Sequence, residues 1–437
     1  MKIALARGSR PSVSLPQCFE NEADLDNAYN FYNNPYVKRE AVLKSHYNAT
    51  QQRIVEHPVV LAHQDTTYAN YTHHPATEGL GILHDDKHQG LLLHSTLVTT
   101  PGRMPLGLID QQIIYRDKEN YGKKHQRKQL PIEQKESYKW ILSLEAAAKV
   151  QELCPATLIV NIGDREADVY DAFLTAQKTG QNLLVRAAWN RAIENEEEKY
   201  LWEHMESRPA KDELLEVGVP RSEKRKARTA ELSVRYSQIQ LKPPAHRKAE
   251  KLPSIKVYAV LVREENPPKD EEPIEWLLLT TVPVNSVEEA KERVQWYSCR
   301  WTIEIYHKVL KSGCLIEKRQ FETADRIERY LSIDSVVAWR VLGLTLQSRE
   351  TPDMSCEAFL EPEEWQALYC YINKVPTAPE EPPKLRQAAR WIAQLGGFLG
   401  RRHDGEPGVT VMWQGLQRLF DIVGMWRIFK PPNSDKC

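Results

Sequence analysis

Long apolar runs are missing from this chain of 437 residues. No stretch approaches the roughly 20 apolar residues that a membrane-spanning helix requires. The opening Met1-Lys2-Ile3-Ala4-Leu5-Ala6-Arg7 is too short an apolar stretch for a secretory signal. Both absences predict a cytoplasmic protein. Cysteine is sparse as well. The seven, Cys18, Cys154, Cys299, Cys314, Cys356, Cys370 and Cys437, are scattered and never spaced as Cys-x-x-Cys. That argues against a disulfide framework and against a structural zinc site. A large charge of one sign is also absent: the formal net charge is -1. Bulk electrostatics therefore does not announce a nucleic-acid partner, and the distribution of charge matters more than its sum.

What is present describes a folded protein. Hydrophobic residues make up 41% and charged residues 27%, which is the composition of a globular chain and not of a disordered one. The length predicts roughly two to four domains. Lys and Arg cluster over residues 116–128 and again over 221–228. Either run alone reads first as a solvated loop, and the two together leave room for a localised phosphate-binding surface.

The periodicity predicts helices over residues 20–56, interrupted at Asn33-Asn34-Pro35. Val59-Val60-Leu61-Ala62 reads as a strand ending at His63-Gln64-Asp65-Thr66-Thr67, and residues 90–98 and 105–115 read as a hairpin about Pro101-Gly102. A helix over 136–153, a strand at 158–162 ending in Gly163-Asp164, a helix over 165–177 and a strand at 183–186 follow. Three strands, helix, strand, helix, strand is the order of an α/β sheet with an antiparallel front end. Residues 190–275 alternate apolar and polar between Pro-rich loops and read as a β-rich insertion. Trp276-Leu277-Leu278-Leu279-Thr280-Thr281 returns to the sheet. Residues 287–311 read as one helix, and helices continue from about 325 to the end.

The helix near residue 300 carries the chemistry. Tyr297, Arg300, Glu304 and Lys311 are spaced by 3, 4 and 7. At about 100° per residue they fall within about 60° of one another. Trp301, Ile305 and Val309 flank that face on one side, and Trp296, Ile303 and Leu310 on the other. Alone, Arg300 and Glu304 are also what a surface i,i+4 ion pair looks like. Asp65 and Asp164 each lie at the end of an apolar strand, where ligands gather in open α/β sheets, although Asp is a common turn former too. Two strand-borne aspartates and a helix-borne glutamate are a hard-oxygen set suited to Mg²⁺ or Mn²⁺. Three carboxylates can hold two metals about 3.5–4 Å apart for phosphodiester displacement. Arg300, Lys311 and Tyr297 would then face phosphate oxygens.

The pattern Tyr297-x-x-Arg300-x-x-x-Glu304-x-x-x-x-x-x-Lys311 resembles the signature of the insertion-sequence-4 family of DDE transposases, the Tn-5 type most closely. Asp65-Thr66-Thr67, Gly163-Asp164-Arg165-Glu166-Ala167-Asp168, Leu183-Leu184-Val185-Arg186, Trp276-Leu277-Leu278-Leu279-Thr280 and Leu395-Gly396-Gly397-Phe398 match further segments in order. The resemblance implies an α/β fold: an RNase H-like catalytic core with a β-rich insertion domain and a helical C-terminal domain. It divides the chain into a shortened helical end-binding region (1–55), a core in two parts (56–188 and 276–350), the insertion (189–275) and a dimerisation region (351–437). It implies that Asp65, Asp164 and Glu304 form the catalytic triad and hold two Mg²⁺ or Mn²⁺. It assigns Tyr297, Arg300, Lys311 and Arg186 to DNA phosphate, and Trp276 to stacking on a flipped base, the alternative being an aromatic packed in the sheet. The implied partners are double-stranded DNA, as transposon ends and target, and a second copy of the chain. The implied reaction is cut-and-paste transposition: nicking, hairpin formation, hairpin opening and strand transfer.

The segment before Asp65 is shorter than the family's end-reading domain, which raises a second reading: an N-terminally truncated protein that dimerises with a full-length transposase and inhibits it. A host nuclease on the same fold is a third, and the insertion and helical C-terminal region argue against it. His73, His74 and His307 are read as ordinary surface or core histidines, because a two-metal site needs no separate histidine base.

Overall fold

The computed structural model describes residues 2–118, 130–219, 228–269 and 271–429. Most of the two basic runs predicted from the sequence therefore lies outside the described residues.

Among the described residues ten strands form one sheet: β1 (Val59–Asn70), β2 (Gly81–Ile82), β3 (Gln89–Thr99), β4 (Pro105–Ile114), β5 (Leu158–Gly163), β6 (Asn182–Arg186), β7 (Leu215–Val219), β8 (Arg228–Leu241), β9 (Ile255–Arg263) and β10 (Glu275–Thr280). The long antiparallel β1, β3 and β4 form one side. β5 and β6 follow in parallel through helical crossovers, Tyr138–Leu153 and Tyr170–Thr179. The order β4-β3-β1-β5-β6 is an RNase H-like arrangement of three antiparallel strands followed by two parallel ones. β10 then pairs antiparallel with β6, and β9, β8 and β7 extend the same sheet outward. The alternating segments of the insertion thus join the central sheet edge to edge. Their alternation marks strands with one face on the core and the other toward solvent, as in β7 and the start of β8, where buried and exposed residues alternate.

Period-two alternation distributes the core. Leu183 and Val185 pack with Trp140, Leu144 and Phe173 of the crossover helices. Leu184 faces the other way, with Val160, Ile162 and Leu278, under Val294 and Trp296 of the helix Val287–Ser298. Each such side chain contributes about 1.5–3 kcal/mol by leaving water. A third core joins the helices Trp301–Lys308 and Ala324–Glu350 to the C-terminal helices Pro362–Asn373, Leu385–Leu395 and Val409–Phe429. No described helix is long and apolar enough to cross a membrane.

Three boundaries differ from those read in the sequence. β1 does not stop at residue 62. It runs through Asp65 to Asn70, because the antiparallel ladder to β3 continues past the point where parallel pairing to β5 ends. The helix expected over 165–177 is split: a 3-10 turn, Arg165–Ala167, is followed by Asp168 and Val169 outside helical geometry. The Asp168 carboxylate is drawn off to the loop after β6, where it accepts from Ala188 N at 2.8 Å and from Arg191 Nε at 2.7 Å.

The helix expected over 287–311 is also interrupted. At Cys299 and Arg300 the bonds tighten to three-residue steps, Arg300 N to Tyr297 O at 3.0 Å and Thr302 N to Cys299 O at 3.0 Å. Beyond Lys308 the chain widens into a π-helical turn, Val309–Gly313, closed by Cys314 N to Val309 O at 2.8 Å. Gly313 permits the widening. A methyl group there would stand 3.0 Å from the ring of Trp413.

Candidate active site

The first two acids are brought together by strand register. β1 and β5 are parallel, with Leu61 opposite Val160, Ala62 opposite Asn161 and His63 opposite Ile162. Two residues further on, Asp65 and Asp164 stand side by side, where neighbouring strands are about 4.8 Å apart. Asp65 is held in mid-strand by its pairing with Ser95 of β3. Asp164 is the first residue past β5, and its Oδ1 accepts from Glu166 N at 2.8 Å, capping the 3-10 turn. Gly163 makes that turn possible, since a Cβ there would lie 2.3 Å from Cβ of Ala167.

The third acid arrives from the helix laid over β1. His307 Nδ1 is 3.5 Å from Asp65 Oδ2, which fixes Trp301–Lys308 against that strand. Glu304 lies one turn before His307, and Arg300 Nη2 donates to Glu304 Oε1 at 2.6 Å. The i,i+4 ion pair that the spacing also allowed is therefore formed, and it is formed inside the site. Its side chains are only 16% and 32% exposed.

Charge is unevenly balanced here. Burial pushes the Asp164 carboxyl above the ordinary aspartate range; Asp65 and Glu166 add to this, while the bond from Glu166 N and the charge of Arg300 oppose it. Burial by itself pulls the Arg300 guanidinium down, but Tyr297, Glu304 and Asp65 together outweigh it, so Arg300 is raised. Arg186, at the end of β6, is lowered by burial first and then by the neighbouring positive charge of Arg165, with a further contribution from Arg300. Tyr297 is buried, and that burial lifts its phenol above its usual range despite Arg300 and Arg186 beside it.

The residues singled out in the sequence distribute as follows. Asp65, Asp164, Glu304, Arg300 and Tyr297 gather at one point, with Arg186 alongside. Arg186 donates to Glu275 O at 2.9 Å. Trp276 on β10 stands edge-on to Tyr297, with ring centroids 5.4 Å apart, so it borders the same site. Lys311 lies in the π-helical turn and pairs with Glu317 at 3.2 Å. Glu317 also accepts from Asn70 N at 2.8 Å, which places Lys311 toward the far end of β1. His74 contacts Glu317 O at 3.0 Å.

Lys139 and Asp168 went unassigned in the sequence, and His307 was read there as an ordinary histidine. His307 is buried against Asp65, and its Nε2 has no hydrogen-bond partner. Its signal was its place one turn after Glu304. Lys139 is buried between Glu136 (3.6 Å) and Glu166 (3.5 Å). Asp168 is buried within the motif that contains Asp164, but a motif position alone does not reveal which backbone it clamps.

Whether these acids suit a metal can be judged from their chemistry. Asp65 and Asp164 are oxygen donors, and Asp65 lies close enough to Asp164 to raise the cost of ionising it; a divalent cation bound there would lower that cost. As they stand, no three His, Cys, Asp or Glu side chains among the described residues are disposed as a metal-holding group. Glu304 has one oxygen committed to Arg300. The oxygen chemistry of the three acids suits a hard divalent cation, but with Glu304 paired to Arg300 they do not stand as a finished metal-holding group.

Two known family models match this chain. Residues 113–337 match the transposase DDE domain, a span that covers more than half the chain and includes Asp164 and Glu304. Residues 336–430 match the transposase Tn5 dimerisation domain, which covers the C-terminal helices. The chain belongs to the DDE transposases, of the Tn5 type.

Proposed function

We propose that this chain carries out cut-and-paste transposition at the site formed by Asp65, Asp164 and Glu304, acting on double-stranded transposon ends as a homodimer. The observation that supports this most is the convergence of three carboxylates from β1, the end of β5 and the overlying helix, with Arg300 and Arg186 beside them. Acid and base are thereby sorted into a place for cations and a place for phosphate.

Asp65, Asp164 and Glu304 would hold Mg²⁺ or Mn²⁺, two per site, which would supply activation of the attacking hydroxyl and stabilisation of the leaving oxygen. Arg300 and Arg186 would bind the non-bridging oxygens of the scissile phosphate, Arg as a fork and Lys311 as a point charge on a neighbouring phosphate. In the first step a water oxygen bonds to phosphorus and the bond to the 3′-oxygen breaks, leaving a free 3′-hydroxyl. In the next step the oxygen of that hydroxyl bonds to a phosphorus of the opposite strand while the bond from that phosphorus to the flanking 3′-oxygen breaks, which closes a hairpin on the transposon end and releases the flank with a free 3′-hydroxyl. Opening of the hairpin and attack on target DNA repeat the same displacement. Trp276, edge-on to Tyr297 at the site's border, would stack on a base displaced from the duplex while the hairpin forms.

The test is cleavage of linear or pre-nicked duplex carrying the inverted repeats that flank this chain's coding sequence, in Mg²⁺ or Mn²⁺. Wild type should give metal-dependent hairpin and double-strand-break products, and Glu304→Gln should give none. Equal cleavage by both proteins, or none by either, would contradict the proposal.

A further inference from the structure

Of eleven tryptophans, two are exposed among the described residues, Trp189 and Trp301. Trp189 is the more exposed, at 66%. Its surroundings are built, not loose. The buried carboxylate of Asp168 accepts from Ala188 N at 2.8 Å, from Trp189 N at 3.2 Å and from Arg191 Nε at 2.7 Å. Asn190 is fixed in turn: its side chain accepts from Trp202 N at 3.0 Å and donates to Glu203 at 3.0 Å. The backbone on both sides of Trp189 is pinned while its indole is left in water. Holding a large apolar ring in water on a fixed backbone gains nothing for folding. It does pre-organise the ring for a partner.

The position points to the partner. The loop begins immediately after Arg186, which closes β6 next to the strand that delivers Asp164. Arg165 and Arg300 each lie near enough to Arg186 to disfavour its charge, and phosphates bound at the end of β6 would relieve that repulsion. A cationic track with an aromatic platform beside it is how proteins hold a nucleic-acid strand whose bases are splayed.

We propose that Trp189 is a stacking platform for a nucleobase of the DNA strand that leaves the three carboxylates over Arg186, with Asp168 as the residue that positions it. This rests on the transposase reading above and adds a base contact distinct from Trp276. In the bound state the indole face covers a base displaced from the duplex, and Arg186 holds the adjoining phosphate.

The experiment uses the full chain and duplex transposon ends with 2-aminopurine substituted at successive positions near the cleavage point. Wild type should quench the probe at one position assigned to Trp189. Trp189→Ala should abolish quenching there, leave any quench due to Trp276 in place, and bind the ends roughly 5- to 100-fold more weakly. Trp189→Phe should retain the quench. Because the ring is exposed, the alanine variant should melt with the wild type, which keeps folding out of the comparison. If Trp189→Ala binds and quenches like wild type while the ends are still cut, this proposal alone fails. If Trp189→Ala changes only the oligomeric state, the ring belongs to a protein interface and the proposal is overturned. If wild type neither binds nor cuts the ends, the transposase reading falls and takes this proposal with it.

Discussion

Adding a single methyl group at Gly163 should disable the site without unfolding the protein. Gly163 is the last residue of β5 and the one before Asp164. A Cβ there would stand 2.3 Å from Ala167 Cβ, 3.3 Å from the ring of Trp140 and 3.6 Å from Val185 Cγ1. Unbonded carbons rest at about 3.5–4.0 Å, so the first of these contacts must open by about 1.2 Å or more. Trp140 and Val185 are buried in the sheet's core and cannot yield. The three-residue turn Arg165–Ala167 can, and it is the turn that the Asp164 carboxylate caps. Its displacement carries Asp164 away from Asp65.

A misplacement of about 1 Å in a catalytic group can cost about 100-fold in rate, whereas one overpacked methyl costs about 1–3 kcal/mol of stability. Gly163→Ala should therefore cut single-turnover cleavage by about two orders of magnitude and lower the melting temperature only moderately. Ala167→Gly in the same chain removes the opposing methyl, leaves a tight 3.3 Å contact to Trp140 and an ordinary 3.6 Å one to Val185, and should restore most of the cleavage. Wild-type cleavage by Gly163→Ala, or a double variant as inactive as the single, would refute the reasoning.

Asp164→Asn should abolish cleavage yet raise the melting temperature of the metal-free protein at neutral pH, because ionising a carboxyl whose folded pKa is raised opposes folding. That gain should shrink as pH falls and vanish below 3.8, the ordinary aspartate value, where the group becomes neutral folded or unfolded; a gain independent of pH in thermal melts would contradict it. Arg7 and Asp334 are fully buried and bonded through Nε at 3.0 Å and Nη2 at 2.9 Å. Asp334→Ala should cost about 3–5 kcal/mol in chemical denaturation, and Arg7→Met with Asp334→Leu should remain well below wild type, because Arg7 also donates to Pro11 O at 2.6 Å and Val13 O at 2.8 Å. His307→Ala removes the ring 3.5 Å from Asp65 and should raise the Mn²⁺ concentration for half-maximal cleavage roughly 10-fold, as loss of an outer-shell partner does; an unchanged Mn²⁺ dependence would remove His307 from the site.

Much of this was legible in the sequence because it depends on local pattern. The apolar runs around Leu61, Val160 and Leu184 place β1, β5 and β6 correctly, since a sheet covered on both faces leaves continuous hydrophobic strands. The 3- and 4-residue spacings of Tyr297, Arg300 and Glu304 place them together, because the tightened turn at Cys299 changes their angular phase only slightly. What the sequence concealed depends on partners far away. The split at Asp168 is decided by amide groups of residues 188–191. The π-helical turn that carries Lys311 toward Glu317 depends on Trp413 filling the space over Gly313. The course of β1 through Asp65 is set by its long ladder with β3. The position of His307 against Asp65 follows from that strand running on beneath the helix.

The central claim is that Asp65, Asp164 and Glu304 act together as one cation-binding group. Mn²⁺ titration of the metal-free full-length protein, followed by electron paramagnetic resonance, tests it without relying on cleavage. Wild type should take up Mn²⁺, and Asp65→Asn, Asp164→Asn and Glu304→Gln should each weaken uptake by at least the roughly 10–100-fold that loss of an outer-shell partner costs. Replacing a remote surface charge such as Arg386 should change nothing. Mn²⁺ bound as tightly by the triple variant as by wild type would contradict the account.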